Sequence, residues 1–179
     1  MTSSIARIAL VLALAGCAGA ASSAAPAPAP GRPPAPWSAA PLGFTSVPAE
    51  YGEAWSRAAN RTSCALVAPR SIGNEAASPR VATFSGGWGV AYDQPNLRSA
   101  FGVAGTGSAA ADTAGRYKGW PYSLAWADGS HAEYGPEGGT GPNQLAYLTI
   151  AGQGCLYNVW SRLGRAHLEE LLANLRYVR

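Results

Sequence analysis

Residues 119–161 read GWPYSLAWADGSHAEYGPEGGTGPNQLAYLTIAGQGCLYNVWS, and this stretch decides the fold. It contains four of the eight tyrosines and three of the six tryptophans of the chain, so it is a dense source of core and surface aromatics. Apolar residues alternate with polar or small ones in two runs, 119–134 and 143–161, on either side of the glycine-rich segment 135–141. This alternation predicts two β-hairpins in series.

The first hairpin is predicted to turn at Asp128-Gly129, because both central residues of a type I′ turn need positive φ. A two-residue loop pairs Trp126 with His131 and Leu124 with Glu133. One face then carries Tyr122, Leu124, Trp126, His131 and Glu133. The opposite face carries mostly small side chains (Ser123, Ala125, Ala127, Ser130, Ala132, Tyr134) and is expected to point inward.

The second hairpin is predicted to turn at Gly152-Gln153, a pair suited to a type II′ turn. The implied pairs, which form an apolar core face, are Ile150 with Cys155, Leu148 with Tyr157 and Ala146 with Val159. The reverse face carries Leu145, Tyr147, Thr149, Leu156, Asn158 and Trp160. A shift of one residue in register would exchange the two faces.

Outside these hairpins, the pattern predicts an amphipathic helix over 48–60 and strands over 64–69 and 99–104. Residues 80–85 and 88–92 are predicted to form two strands, or one strand bent at Gly86-Gly87. A loop is expected over 105–115. The C-terminal helix is predicted over 165–176, where four leucines form one stripe (Leu168, Leu171, Leu172, Leu175). The predicted fold class is α+β: an antiparallel sheet of six to eight strands with an N-terminal helix and a C-terminal amphipathic helix packed on it.

The N-terminus carries an export signal. Arg7 precedes the apolar run Ile8–Leu14, which at this length is shorter than the roughly 20 residues of a membrane span. Leu14-Ala15-Gly16-Cys17 resembles the lipobox of bacterial lipoproteins. The resemblance implies cleavage before Cys17, a lipid on its thiol, and a place in the cell envelope, on the periplasmic side of the outer membrane in a Gram-negative cell. An ordinary signal peptide that discards Cys17 is the alternative.

The chain is predicted to have a signal peptide at 1–16, a tether at 17–43 and one domain at 44–179. The tether is nearly all Ala, Pro, Ser and Gly, a composition that favours extended polyproline II. From residue 44 onward there are eleven basic and ten acidic residues, with no basic run, which argues against a nucleic-acid partner. In layout the domain is loosely similar to exported PsbP/Mog1-type domains, and this likeness implies no function.

Cys64 and Cys155 are predicted to form a disulfide. Lipidation of Cys17 leaves them as the remaining pair, and exported proteins meet an oxidising compartment. A pair of free thiols is the alternative.

The chain shows no zinc-protease, nucleotide-loop or serine-hydrolase motif, and we expect no cofactor and no metal. His131 and Glu133 share a strand face and could transfer a proton, although a His–Trp contact beside a solvated Glu is the simpler interpretation. His167 is similarly expected to be a packed or surface residue. The glycine-rich loop at 135–142 carries an acid in place of a phosphate-binding lysine and is expected to be a connector.

The candidate binding face consists of Tyr122, Trp126, His131, Glu133 and Trp120, because tryptophan and tyrosine commonly anchor interfaces. The leading hypothesis is a lipid-anchored, non-enzymatic envelope domain that binds a protein or a glycan. One alternative is an envelope hydrolase with Glu133, Glu137 or Asp128 as acid and base. The other is an inhibitor of a foreign hydrolase.

Overall fold

The computed structural model describes residues 31–73, 76–109, 119–139 and 141–179. The lipobox and most of the tether lie outside the described residues. Within the described ranges the chain forms two α-helices, α1 (Ala49–Arg57) and α2 (Arg165–Asn174). The strands are β1 (Val67–Pro69), β2 (Ser78–Val81), β3 (Trp88–Gln94), β4 (Leu97–Ala109), β5 (Tyr122–Ala125), β6 (His131–Pro136), β7 (Gln144–Thr149), β8 (Cys155–Ser161) and β9 (Leu175–Tyr177).

Seven strands form one antiparallel sheet in the order β2-β3-β4-β8-β7-β6-β5, and β1 pairs with β9 in a separate two-stranded sheet. Consecutive strands are neighbours except where β8 inserts beside β4. This arrangement confirms the predicted α+β class, the predicted number of strands in the main sheet and both predicted helices.

One face of the main sheet, called here the inner face, packs against both helices. All four leucines of the predicted stripe are buried at no more than 1% exposure, the first three in α2 and Leu175 directly after it. Helix α1 buries Tyr51 and Ala54 against the same core. Tyr157 and Val159 of β8 face them from the sheet and are fully buried. The two helices therefore shield the inner face and leave the opposite, outer face of the sheet for other contacts.

The predicted disulfide is present between Cys64 and Cys155, whose Cα atoms lie 5.2 Å apart. Both cysteines are almost fully buried. The bond ties the segment before β1 to the first residue of β8. Gly105 of β4 lies against it, since a Cβ built there would be 2.4 Å from Cys64 Sγ and 2.5 Å from Trp88 Nε1.

The second hairpin has the predicted register, with Leu148 opposite Tyr157 and Ala146 opposite Val159. Its turn is one residue earlier than predicted. The Gln153 amide donates to the Ile150 carbonyl, and Gly152 has a φ of 79° at the third position of that turn.

The predicted register of the first hairpin is wrong by one residue. Leu124 lies opposite Ala132, and Tyr122 lies opposite Tyr134. The loop has three residues rather than two, because the Gly129 amide donates to the Trp126 carbonyl and Gly129, with a φ of 91°, follows the turn. This is the type I turn with a glycine bulge, and it moves every residue of β5 to the opposite face relative to β6.

Asp93 fixes the connection between β3 and β4. Its carboxylate accepts the Ser99 amide at 2.6 Å and the Arg80 Nε at 3.0 Å, and Arg80 also reaches the Ser99 hydroxyl. Ser99 has a φ of 50°, a backbone conformation that is unusual for serine. The hydrogen bond from its amide to the Asp93 carboxylate stabilises this conformation. The amide hydrogen bond, with help from Arg80, lowers the pKa of Asp93.

Three further features differ from the sequence predictions. Strand β4 continues through Ala109, so the first part of the expected loop over 105–115 is strand, and residues 110–115 lie outside the described residues. Residues 175–177 leave the helix and pair with β1 as β9. The segment 31–43, assigned to the tether, contributes buried Ala35 and Trp37 to the core. None of the helices in the described ranges is long and apolar enough to cross a membrane.

Candidate functional site: the outer face of the sheet

The structure does not place the five residues of the predicted binding face on one surface. Trp126 is buried at 5% exposure in the loop between β5 and β6. Its ring meets that of Trp37 edge-on, with centroids 4.9 Å apart. Trp37 Nε1 in turn donates to the Asp128 carboxylate at 2.9 Å. Trp126 is therefore a core residue that helps to hold the N-terminal segment.

Tyr122 lies on the inner face, at the open edge of the sheet beside α2. The guanidinium of Arg165 lies over its ring, 4.5 Å from the centroid. The neighbouring Tyr134 donates a hydrogen bond of 2.7 Å to the Glu169 carboxylate. Burial, together with this hydrogen bond, raises the pKa of Tyr134 to about 12. These contacts attach α2 to the hairpin, so Tyr122 supports the helix and does not share a face with His131.

The remaining three residues, His131, Glu133 and Trp120, do belong to the outer face. His131 and Glu133 alternate with the buried Ala132 and lie opposite Thr149 and Tyr147 of β7. The Trp120 ring packs edge-on against Tyr147, with centroids 5.5 Å apart.

The outer face carries a row of four partly exposed aromatic side chains. We call this set the aromatic row; its members are Phe84, Trp160, Tyr147 and Trp120. Phe84 and Trp160 lie with ring centroids 6.0 Å apart. The row crosses β3, β4, β8, β7 and β6, and at the usual strand spacing of about 4.8 Å its length is about 19 Å.

Glycines in the strands give three of these rings a place to lie against the backbone. A Cβ on Gly89 would be 2.6 Å from the Phe84 ring, and one on Gly102 would be 2.2 Å from the Trp160 ring. A Cβ on Gly135 would be 2.6 Å from Pro121 and 2.9 Å from Trp120. Real Cβ atoms do not approach so closely, so these strand positions require glycine because aromatic or proline side chains cover them. The backbone of the sheet therefore contacts these rings on the side that faces the molecule.

The structure separates the carboxylates of the hydrolase alternative. Glu133 lies in β6, whereas Glu137 lies past the end of that strand and begins a short 3-10 helix, Glu137–Gly139. The Asp128 carboxylate is occupied by Trp37, the Ser130 amide and the Ser130 hydroxyl. Among the described residues, no three His, Cys, Asp or Glu side chains are grouped closely enough to hold a metal ion.

His167 is a packed residue, which agrees with the sequence-based expectation of a packed or surface histidine. Its Nδ1 lies 3.0 Å from the Ser161 hydroxyl, and its ring contacts Phe101 at 4.8 Å between centroids. Ser161 is fully buried and its hydroxyl accepts the Leu163 amide at 3.0 Å, so it helps to fix the connection between β8 and α2.

Sequence reasoning placed Tyr147 and Trp160 together on the reverse face of the second hairpin. In the structure both lie on the outer face, because side chains alternate between the two faces along β7 and β8. Sequence reasoning missed Phe84, which lies in the connection between β2 and β3. The glycines opposite the rings, spaced within β3, β4 and β6, were the available indication of such a surface.

Comparison of the chain with protein-family models, with curated proteins and with solved structures found no significant match.

Proposed function

We propose that this protein is a lipid-anchored, non-enzymatic domain of the cell envelope that binds a glycan or a protein through the outer face of its sheet. The aromatic row carries the proposal. Four partly exposed aromatic side chains in a line about 19 Å long, three of them over glycines, form an extended surface rather than a closed pocket. The lipobox, on which the anchor and the envelope location depend, supports the cellular part of the proposal.

A glycan is the partner that this surface favours. The faces of aromatic rings are electron-rich and attract the polarised C–H groups of sugar rings, and a row of such faces can contact successive sugars. His131 and Glu133 lie beside the row and supply hydrogen-bonding groups for sugar hydroxyls. A protein interface would instead be expected to centre on a few anchors in fully desolvated pockets.

The test is binding of the full-length protein, purified in detergent, to immobilised envelope polysaccharides and to solubilised envelope proteins. Trp160→Ala and Trp120→Ala should each weaken binding by about thirtyfold or more, since truncating an aromatic anchor commonly costs about 2 kcal/mol or more. Phe44→Ala is the matched control, because Phe44 is 45% exposed but lies before α1, away from the sheet.

Equal binding by the parent and both tryptophan variants would show that the outer face is not the binding surface. Retention of an envelope protein and of no polysaccharide would assign the surface to a protein partner. A sugar or peptide product that the parent releases and Glu133→Gln does not would replace the binding function with the hydrolase alternative.

A further inference from the structure

A second concave surface lies on the other side of the molecule, between the end of β1 and the start of α1. It has a volume of about 490 Å³, within the range of small-molecule sites. Tyr92 contributes its floor, and Arg70, Ser71 and Ser46 contribute polar groups to its lining. Because Tyr92 belongs to the inner face of β3, this cavity is separated from the aromatic row by the sheet itself.

Arg70 is held in place by a hydrogen bond of its backbone to α2. It directly follows β1, and its amide donates to the Asn174 carbonyl at the end of α2, at 2.9 Å. The guanidinium forms no ion pair or side-chain hydrogen bond with any residue in the described ranges. An unpaired guanidinium at a cavity is a strong donor for a carboxylate or phosphate, which it can hold through two parallel hydrogen bonds.

The rest of the lining combines two hydroxyls with apolar walls. Ser46 and Ser71 are both exposed, and Ser71 Oγ accepts the Gly73 amide at 3.4 Å, which leaves its proton available to a ligand. Pro48 and Ile72 form apolar walls. The Tyr92 hydroxyl donates to Tyr51 at 3.3 Å, so the floor presents a ring and needs no hydrogen bond from an occupant.

Two carboxylates near the cavity limit the charge that an occupant can carry. The Glu170 carboxylate lies at the rim, because a Cβ on Gly73 would be 3.5 Å from Glu170 Oε1. Glu50 lies two residues after Pro48, which lines the cavity, and its carboxylate adds to the rise that burial causes in the pKa of Tyr92. With one positive charge and two negative charges nearby, a dianion is disfavoured more strongly than a monoanion.

We infer that this cavity binds a small organic monocarboxylate with an apolar body, whose carboxylate pairs with Arg70 and whose body lies between Pro48, Ile72 and the Tyr92 ring. The site is independent of the outer face, so its failure and that of the proposed function are distinguishable.

The test is an NMR titration of ¹⁵N-labelled full-length protein in detergent with benzoate, followed by the amides of Ser71, Ile72 and Gly73. Benzamide, which has the same shape without the charge, and inorganic phosphate are titrated in parallel. Arg70→Gln removes the charge, and Arg70→Lys keeps the charge but loses the planar fork. Arg61→Gln is the control, since Arg61 is exposed and lies outside the cavity lining.

Benzoate should shift these amides saturably, and benzamide should not. Arg70→Gln should weaken benzoate binding by about tenfold or more, Arg70→Lys by less, and Arg61→Gln not at all. The inference is overturned if benzoate gives no saturable shift at these amides, or if Arg70→Gln binds it as tightly as the parent. Tighter binding of phosphate than of benzoate would overturn the assignment to a monocarboxylate.

Discussion

The replacement Gly135→Ala tests whether Trp120 and Pro121 are seated on the outer face. Gly135 has no positive φ, so alanine introduces no backbone strain there. The new Cβ would lie 2.6 Å from Pro121 Cδ and 2.9 Å from the Trp120 ring. Ordinary contacts between carbon atoms are about 3.5–4.0 Å, so the Trp120-Pro121 segment must move away by about 1 Å.

This displacement should lower the free energy of unfolding by about 1–3 kcal/mol, the usual cost of inserting a methyl group into a filled space. Urea unfolding measures the change. The Trp120 indole N–H resonance, assigned with Trp120→Phe, should shift because the ring leaves its contact with Tyr147.

Gly52→Ala is the matched control and should change stability in the opposite direction. Gly52 lies inside α1, and a Cβ there would be 3.7 Å from the Phe44 ring, an ordinary contact. Alanine in a helix interior should raise the free energy of unfolding by about 0.5–1 kcal/mol. If Gly135→Ala is as stable as the parent and the Trp120 indole does not move, the packing described for the aromatic row is incorrect.

Two further predictions concern the inner part of the fold. Replacing both Cys64 and Cys155 with alanine should lower the free energy of unfolding by about 4–5 kcal/mol, because the disulfide closes a loop of 91 residues. An unchanged midpoint of urea unfolding would show that the disulfide contributes nothing to stability. Asp93→Asn should cost about 1–2 kcal/mol at pH 7, where the carboxylate accepts from Ser99 and Arg80. The pKa of Asp93 is lowered in the folded state, so its contribution is present above the unfolded pKa of about 3.9 and is lost as the pH falls through the folded value. The cost of Asp93→Asn should therefore be smaller at pH 2 than at pH 7. Urea unfolding of both proteins at pH 7 and pH 2 measures this, and an equal cost at both would contradict it.

The second hairpin was predictable from the sequence because its alternation is strict and one face is wholly apolar. Only one register buries Ala146, Leu148, Tyr157 and Val159 together, and the structure has that register. The leucine stripe of α2 was predictable for the same reason, since its spacing leaves one face to bury.

The first hairpin was not predictable in register because Asp128-Gly129 suits two different loops. Both a two-residue turn and a three-residue loop with a glycine bulge use this pair. The shorter loop was the expected one. The observed loop places Trp126 against Trp37 and the Asp128 carboxylate on the Trp37 indole, a contact across 91 positions of the chain. No local pattern contains that information.

The same limit applies to the candidate site and to β9. The Phe84 ring lies over Gly89 of β3 and beside Trp160 of β8, so the pattern around Phe84 alone could not place it in the aromatic row. Leu175 continues the spacing of the leucine stripe, yet it begins β9, which pairs with β1 more than a hundred residues earlier in the chain. Pairing over such distances depends on topology rather than on local propensity.

The packing of Trp37 and Leu42 has a mechanical consequence. The Leu42 amide donates to the Tyr177 carbonyl at 2.8 Å, and the Arg179 amide donates to the Leu42 carbonyl at 2.9 Å, in a short parallel bridge. A pulling force that enters the domain at residue 31 first meets the hydrogen bond from the Ala127 amide to the Pro33 carbonyl, at 2.9 Å, and then the contacts of Trp37 with Trp126 and Asp128. The loop between β5 and β6, at one edge of the seven-stranded sheet, therefore resists traction on the N-terminal segment before the bridge at Leu42 does.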